Sequence, residues 1–227
     1  MNAKQLAGEK ATEYVKDGMT VGLGTGSTVY WTIQRLGELV KEGLKIQGVP
    51  TSKRTEAMAH ELQIPLTTFA SVPELDLTID GADEFDPNFN LIKGGGGALL
   101  REKLVAAASR QLIIVVDATK RVKTLGAFRL PVEIVPFAYE VTLRRIESLG
   151  CSPALRKTED GNLYITDNAN YIADCSCAAI PDPAGLHQSL KMLPGVVETG
   201  LFIAMADAVI VAGEESIEVL ERPKSAS

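Results

Sequence analysis

The chain has 227 residues, 45% hydrophobic and 23% charged, with a formal net charge of −6. That length suits one or two domains with a sizeable core, and the balance is ordinary for a globular protein. The acidic charge leaves no basic stripe for nucleic-acid phosphates. No apolar run approaches the ~18 residues of a membrane span, and MNAKQLAGEK has no apolar signal-peptide segment. Neither nucleic acid nor a membrane is expected as a partner.

Residues 2–17 have helical spacing, with Leu6, Ala7, Ala11, Tyr14 and Val15 on one side. MTVGLG predicts a short buried strand, followed by a glycine turn and a helix from about Ser27 to Glu42. LKIQGV predicts a second strand, and TSKRTEAMAHEL a second helix capped by Thr51 or Ser52. LDLTID is a strand, ALLREKLVAAASR a helix and QLIIVVD a fully apolar strand. This alternation indicates an α/β fold with a doubly wound, mostly parallel, Rossmann-like sheet.

The rhythm changes after Thr119. LPVEIVPF alternates like a half-exposed strand, and AYEVTLRRIESLG is an amphipathic helix stopped by Gly150. SPALRKT and NLYITDN, around Glu159-Asp160-Gly161, predict a hairpin. PAGLHQSLKML is another short helix. The order β-α-β-β-α is that of a small α+β, ferredoxin-like unit with an antiparallel sheet. ADAVIVAG predicts a strand that rejoins the first sheet. The expectation is an α/β catalytic domain over 1–128 and 200–227 with an inserted α+β domain over 129–199. The tail RPKSAS is expected to be disordered.

Cys151, Cys175 and Cys177 are an odd number of cysteines, and without a signal peptide they suggest reduced thiols in a cytoplasmic protein. Cys175-Ser-Cys177 is too close-set for a zinc site, and His60 and His187 have no partnering cluster, so no metal is expected.

Gly22-Leu23-Gly24-Thr25-Gly26-Ser27-Thr28 follows a strand and opens a helix, a context that suits an anion. The dinucleotide fingerprint fails because Ser27 stands where the third glycine is needed, and the second strand ends Val49-Pro50-Thr51 without a ribose-binding acid. A Walker A loop fails for want of Gly-Lys-Ser/Thr. What remains suits a phosphate or a sugar; the plain alternative is a tight strand–helix turn with a hydroxyl cap.

The densest polar stretch is LDLTIDGADEFDPNFNLIKGGGGALLREK, residues 75–103. Asp80 and Asp83 close a strand, where open α/β sheets keep their ligands. Lys93 precedes four glycines, Gly94 to Gly97, and Glu102 lies one turn into the following helix. Singly, each has an ordinary reading: an Asx turn at Asp80, a solvated Lys93, surface charge at Arg101-Glu102-Lys103. Asp86, in Phe85-Asp86-Pro87-Asn88, is turn chemistry. Their density beside the glycines favours a site. Carboxylates, one lysine and backbone amides suit acid–base work on a carbonyl compound: a base removes a proton next to the carbonyl, and donors hold the developing oxyanion.

The chain resembles the ribose-5-phosphate isomerase A family. The matching blocks are GLGTGSTV (22–29), GVPTSKRT (48–55), residues 75–106, VVDATK (115–120), LPVEIVPFA (130–138), TDNANYIAD (166–174) and LPGVVETGLF (193–202). They span nearly the whole chain in order, and the block at 75–106 is long and specific. The resemblance implies interconversion of ribose 5-phosphate and ribulose 5-phosphate through an enediol, in the pentose phosphate pathway, with no metal and no cofactor. It implies Glu102 as the base between C1 and C2, and Asp80 and Asp83 on the sugar hydroxyls, assisting ring opening. Lys93 with Gly94, Gly95 and Gly96 would stabilise the oxyanion. Thr25, Gly26, Ser27, Thr28, Gly81, Ala82 and Lys120 would bind substrate; Lys4, Ser27, Thr28 and Lys120 are candidates for the phosphate. It also implies a homodimer or homotetramer in the cytoplasm. The chain departs from the family's usual pattern in the start of VVDATK, at Ala169, where glycine is common, and at Thr199, where asparagine is common. These bear on packing rather than on the reaction.

Three other readings compete. A sugar-phosphate-sensing regulator would need a DNA-binding segment, and the acidic chain opens almost directly on its first helix. A CoA-transferase-like enzyme would need a CoA site, and none is visible. A purely structural role leaves the acid–lysine–glycine cluster unexplained.

Overall fold

A computed structural model describes residues 2–213 and 216–223. The chain divides into two compact units: the first holds residues 1–82, 101–120 and 205–227, the second 83–100 and 121–204.

The first unit is built on a six-stranded sheet. Its strands are, in spatial order, Ile217–Glu221, Ala208–Ala212, Leu112–Asp117, Leu77–Gly81, Thr20–Leu23 and Gln47–Pro50. All neighbours pair parallel except Ile217–Glu221, which closes one edge antiparallel to Ala208–Ala212. The apolar residues of these strands explain the layering. Val21, Leu23, Leu77, Ile79, Ile113 and Val115 alternate along their strands and pack on one face against the helices Ala3–Ala11 and Val29–Lys41. On the other face Gly22 lies so close to Thr78 and Val105 that a side chain there would collide with both. The missing Cβ lets the helix Leu99–Ala107 settle on that face. Ser52 caps the helix Lys53–Glu61 as expected, accepting the Thr55 amide at 3.1 Å.

The second unit carries a four-stranded antiparallel sheet in the order Val196–Thr199, Leu130–Ile134, Tyr171–Ser176, Ser152–Leu155. The helices Tyr139–Glu147 and Pro183–Lys191 complete a β-α-β-β-α-β order. Leu130, Val132, Ile134, Ile146, Ala173, Cys175 and Leu190 form its core. Pro131, Glu133 and Asp174 alternate to the opposite face. A small sheet of Glu84–Phe85, Leu91–Ile92 and Leu201–Phe202 belongs to the same unit.

Three expectations need correction. Ser152–Leu155 pairs with Tyr171–Ser176, so the hairpin expected around Glu159-Asp160-Gly161 keeps only its tip, where the Thr158 amide bonds the Asn162 carbonyl at 2.9 Å, Lys157 bridges Leu163 and the Tyr164 amide bonds the Arg156 carbonyl at 2.9 Å. The thiols are not all reduced: Cys151 and Cys177 form a disulfide, leaving Cys175 free and buried. The reason is register, since Ser152 pairs with Ser176 and the next residues outward, Cys151 and Cys177, face each other with Cα atoms 4.3 Å apart. The start of the tail is held, because the Arg222 amide and guanidinium both bond Asp207; residues 224–227 of the expected disordered tail lie outside the described residues.

Candidate active site

Within the first unit, Asp80 stands at the C-terminal end of the strand Leu77–Gly81 and is completely buried. Its Oδ1 accepts two amides, Thr25 N–H at 3.0 Å and Gly81 N–H at 2.8 Å. A side chain at Gly24 would overlap Asp80, so the glycine turn and the acid are fitted to each other. Asp80 shares the sheet face of Thr78, the face on which Val105 packs. Glu102 lies three residues before Val105, on the same side of the helix and nearer its N-terminus. The helix connects two parallel strands and runs back along them, so its N-terminus lies toward their C-terminal ends. Fold geometry therefore aims Glu102 and Asp80 at the same end of the sheet. Glu102 is 3% exposed, and a carboxylate is almost never so deeply buried unless it is paired.

The turn 24–28 is polar and tightly bonded. Thr25 Oγ1 lies within hydrogen-bond reach of Thr51, Ser52 and Thr55, at 2.8, 2.8 and 3.1 Å. Gly26 has φ +138°, open to glycine. Thr28 precedes the helix Val29–Lys41 without a side-chain cap bond, and the Tyr30 and Trp31 amides turn back onto the Gly26 and Thr28 carbonyls at 3.0 and 3.1 Å. The Lys4 ammonium bonds Ser27 Oγ at 2.9 Å, bringing a cation to the same helix end. Gly81 and Ala82 are half-buried beyond Asp80, and half-buried Lys120 ends a short 3-10 helix, Ala118–Lys120, after the strand Leu112–Asp117.

Within the second unit, Asp83 is half-buried and accepts the Gly95 amide through Oδ2 at 2.7 Å. Lys93 is 2% exposed. Its amide bonds the Gly200 carbonyl at 2.8 Å, and its ammonium lies 5.3 Å from the centroid of the buried Phe202 ring. Gly94 is buried, whereas Gly95 and Gly96 are exposed. Gly94 and Gly97 take φ of +104° and +82°, and the Gly97 amide closes the turn on the Gly94 carbonyl at 2.9 Å. The four glycines thus have separate reasons: backbone conformation at Gly94 and Gly97, close approach of Asp83 at Gly95 and exposure of the backbone at Gly96.

Several residues escaped the sequence reading. Arg156 donates to the carbonyls of Gly94 and Gly95, 62 and 61 positions away. Buried Glu133 accepts Thr166 Oγ1, Asn168 Nδ2 and Asn170 Nδ2 on one oxygen, at 3.0, 3.1 and 2.9 Å, and so orders the 166–170 loop. His187 Nδ1 and Thr199 Oγ1 share a hydrogen bond at 2.8 Å. The alternation of LPVEI could have flagged Glu133, an acid in an apolar strand; nothing local marks Arg156. Among the described residues no three His, Cys, Asp or Glu side chains gather as a metal site, and no helix is long and apolar enough to cross a membrane.

The profile of the family described as ribose 5-phosphate isomerase A (phosphoriboisomerase A) matches residues 47–216. The chain belongs to this family. It is 59% identical over 221 residues to a ribose-5-phosphate isomerase A from Bacillus cereus, covering 97% of this chain and 100% of the relative. Among solved structures, the ribose 5-phosphate isomerase from Plasmodium falciparum superposes with a TM-score of 0.94 at 41% identity, covering 99% of each chain. A D-ribose-5-phosphate isomerase in complex with phospho-erythronic acid does so with a TM-score of 0.94 at 38% identity, covering 98% of this chain and 100% of the other. Membership makes the chain an isomerase of sugar-phosphate metabolism and agrees with the α/β fold.

Proposed function

We propose that the chain interconverts D-ribose 5-phosphate and D-ribulose 5-phosphate, in the pentose phosphate pathway, through an enediolate. The observation that carries this reading is the burial of two opposite ionisable groups nine residues apart, Lys93 and Glu102, on either side of four glycines. In a chain of this family, such groups have a reaction to serve.

Glu102 acts as the base that moves a proton between C1 and C2. Lys93 stabilises the negative oxygen that forms, together with the amides of the Gly94–Gly97 turn other than those of Gly95 and Gly97, which bond Asp83 and the Gly94 carbonyl. One positioned donor of this kind contributes about 10²–10³ in rate. Asp80 and Asp83 handle hydroxyl protons and ring opening. Thr25 to Thr28, Gly81, Ala82 and Lys120 bind the sugar phosphate; Lys4, Ser27 and the amides at Thr28 suit its phosphate, because a helix N-terminus and an ammonium both favour an anion. Phospho-erythronic acid, held by the solved relative, is a four-carbon acid phosphate whose carboxylate resembles the enediolate, which supports the same chemistry here. Each step is a proton transfer or the stabilisation of one charge, so the scheme requires no metal or cofactor. The protein acts as a homodimer or homotetramer in the cytoplasm.

A coupled assay with purified protein in EDTA tests the reading. Ribose 5-phosphate should be converted to ribulose 5-phosphate at the same rate with and without chelator. Loss of turnover on chelation would overturn the metal-free scheme, and preference for another pentose or hexose phosphate would overturn the substrate.

A further inference from the structure

We infer that Arg156 is a positioning residue that sets the direction of the amides in the Gly94–Gly97 turn. Its Nη1 donates to the Gly94 carbonyl at 2.9 Å and to the Gly95 carbonyl at 3.0 Å. The peptide bonds are trans, and in a trans peptide the C=O and the following N–H point in opposite directions. Drawing the two carbonyls toward Arg156 therefore turns the Gly95 and Gly96 N–H groups to the other side. The Gly95 N–H is found there on Asp83, at 2.7 Å; the Gly96 N–H shares that direction. Arg156 and Asp83 hold the turn from opposite sides, and the amide side is the catalytic one.

The guanidinium is itself fixed. It pairs with Asp174 through two bonds, Nε to Oδ2 at 2.9 Å and Nη2 to Oδ1 at 2.5 Å, and both partners are largely buried. Such a fork admits one orientation, which a lysine could not reproduce. The ring of Tyr164 lies 5.8 Å from the guanidinium, and its hydroxyl occupies the space a Gly97 side chain would need. Glycines have little conformational preference of their own, so a turn of four must take its orientation from neighbours. Here Arg156, Asp174 and Tyr164 supply it.

The inference rests on the proposed role of the turn in holding the oxyanion. Arg156→Lys and Asp174→Asn are compared with wild type for kcat, for KM with ribose 5-phosphate and for inhibition by phospho-erythronate, with Lys93→Met alongside. The expected result for Arg156→Lys is a kcat lower by about 10–100-fold, as for a misplaced oxyanion donor. KM should change less than about threefold, phospho-erythronate should weaken in step with kcat, and thermal unfolding should stay cooperative. Asp174→Asn, which keeps the shape and loosens the fork, should move kcat in the same direction by less. Unchanged kcat in both Arg156→Lys and Asp174→Asn, with Lys93→Met inactive, would overturn the positioning role alone. Full turnover in Lys93→Met would overturn the oxyanion reading beneath it.

Discussion

Asp83 accepts the Gly95 amide through Oδ2 at 2.7 Å, and the Gly95 Cα hydrogen faces the same carboxylate so closely that no side chain fits between them. The acid and the turn are therefore one unit, and Gly95→Ala tests it. The methyl group must push Asp83 out of its hydrogen bond, since the short side chain has nowhere to retreat without rotating. The variant should fold, because Gly95 is exposed, and kcat should fall by about 10²-fold, the usual loss of one positioned group. Wild-type kcat in Gly95→Ala would separate Asp83 from the turn.

Much of this arrangement was legible beforehand. The apolar run ending in Asp80 announced a strand, and Ala98 to Arg110 announced the helix that carries Glu102. Ser52 capped its helix as its position suggested. What failed were features set by distant partners. Glu84–Phe85, Leu91–Ile92 and Leu201–Phe202 are two-residue strands, too short for any alternation to appear. Tyr171–Ser176 follows directly on the polar residues Asp167–Asn170, and the strand expected over NLYITDN stops among them, at a loop gathered on Glu133. Arg156 showed nothing locally, because the carbonyls it holds lie 61 and 62 residues away. The disulfide follows from strand register, which cysteine counting cannot reveal.

That disulfide gives a thiol count. The folded, unreduced protein should show no accessible thiol, the unfolded unreduced chain one, Cys175, and the unfolded reduced chain three. Titration with a chromogenic disulfide reagent reads this directly; three thiols without reductant would mean that Cys151 and Cys177 are not joined. Opening a loop with a sequence separation of 26 should cost about 3.5 kcal/mol on the chain-entropy view.

Cys175 also predicts a pH dependence of stability. Burial, aided by the nearby Asp174 charge, pushes its thiol up to about 12. The unfolded thiol ionises near 8.5, so above that pH the unfolded chain has lost a proton that the native state keeps. The contribution is fully present below the unfolded value and falls by about 1.4 kcal/mol per pH unit until the native thiol ionises. Urea unfolding of wild type and Cys175→Ala between pH 8 and 10.5 should show the steeper decline in wild type. Parallel declines would mean that the thiol ionises alike in both states.

Ala169 occupies the left-handed region, with φ of +61°, in the loop gathered on Glu133. An alanine there is strained by about 1–2 kcal/mol, and glycine loses part of that advantage through its freer unfolded chain. Ala169→Gly should stabilise the protein by up to about 1 kcal/mol with kcat unchanged, as measured by thermal unfolding and steady-state kinetics. A destabilised variant would show that the loop accommodates the methyl group without strain.

The central claim is that buried Glu102 moves the proton between C1 and C2. Glu102→Gln keeps the shape and removes the base. Its kcat for ribose 5-phosphate is predicted to fall by about 10²–10⁴-fold or more, with ribose 5-phosphate still bound within a few-fold of wild-type affinity by calorimetry. Turnover near wild type in that variant would contradict the account.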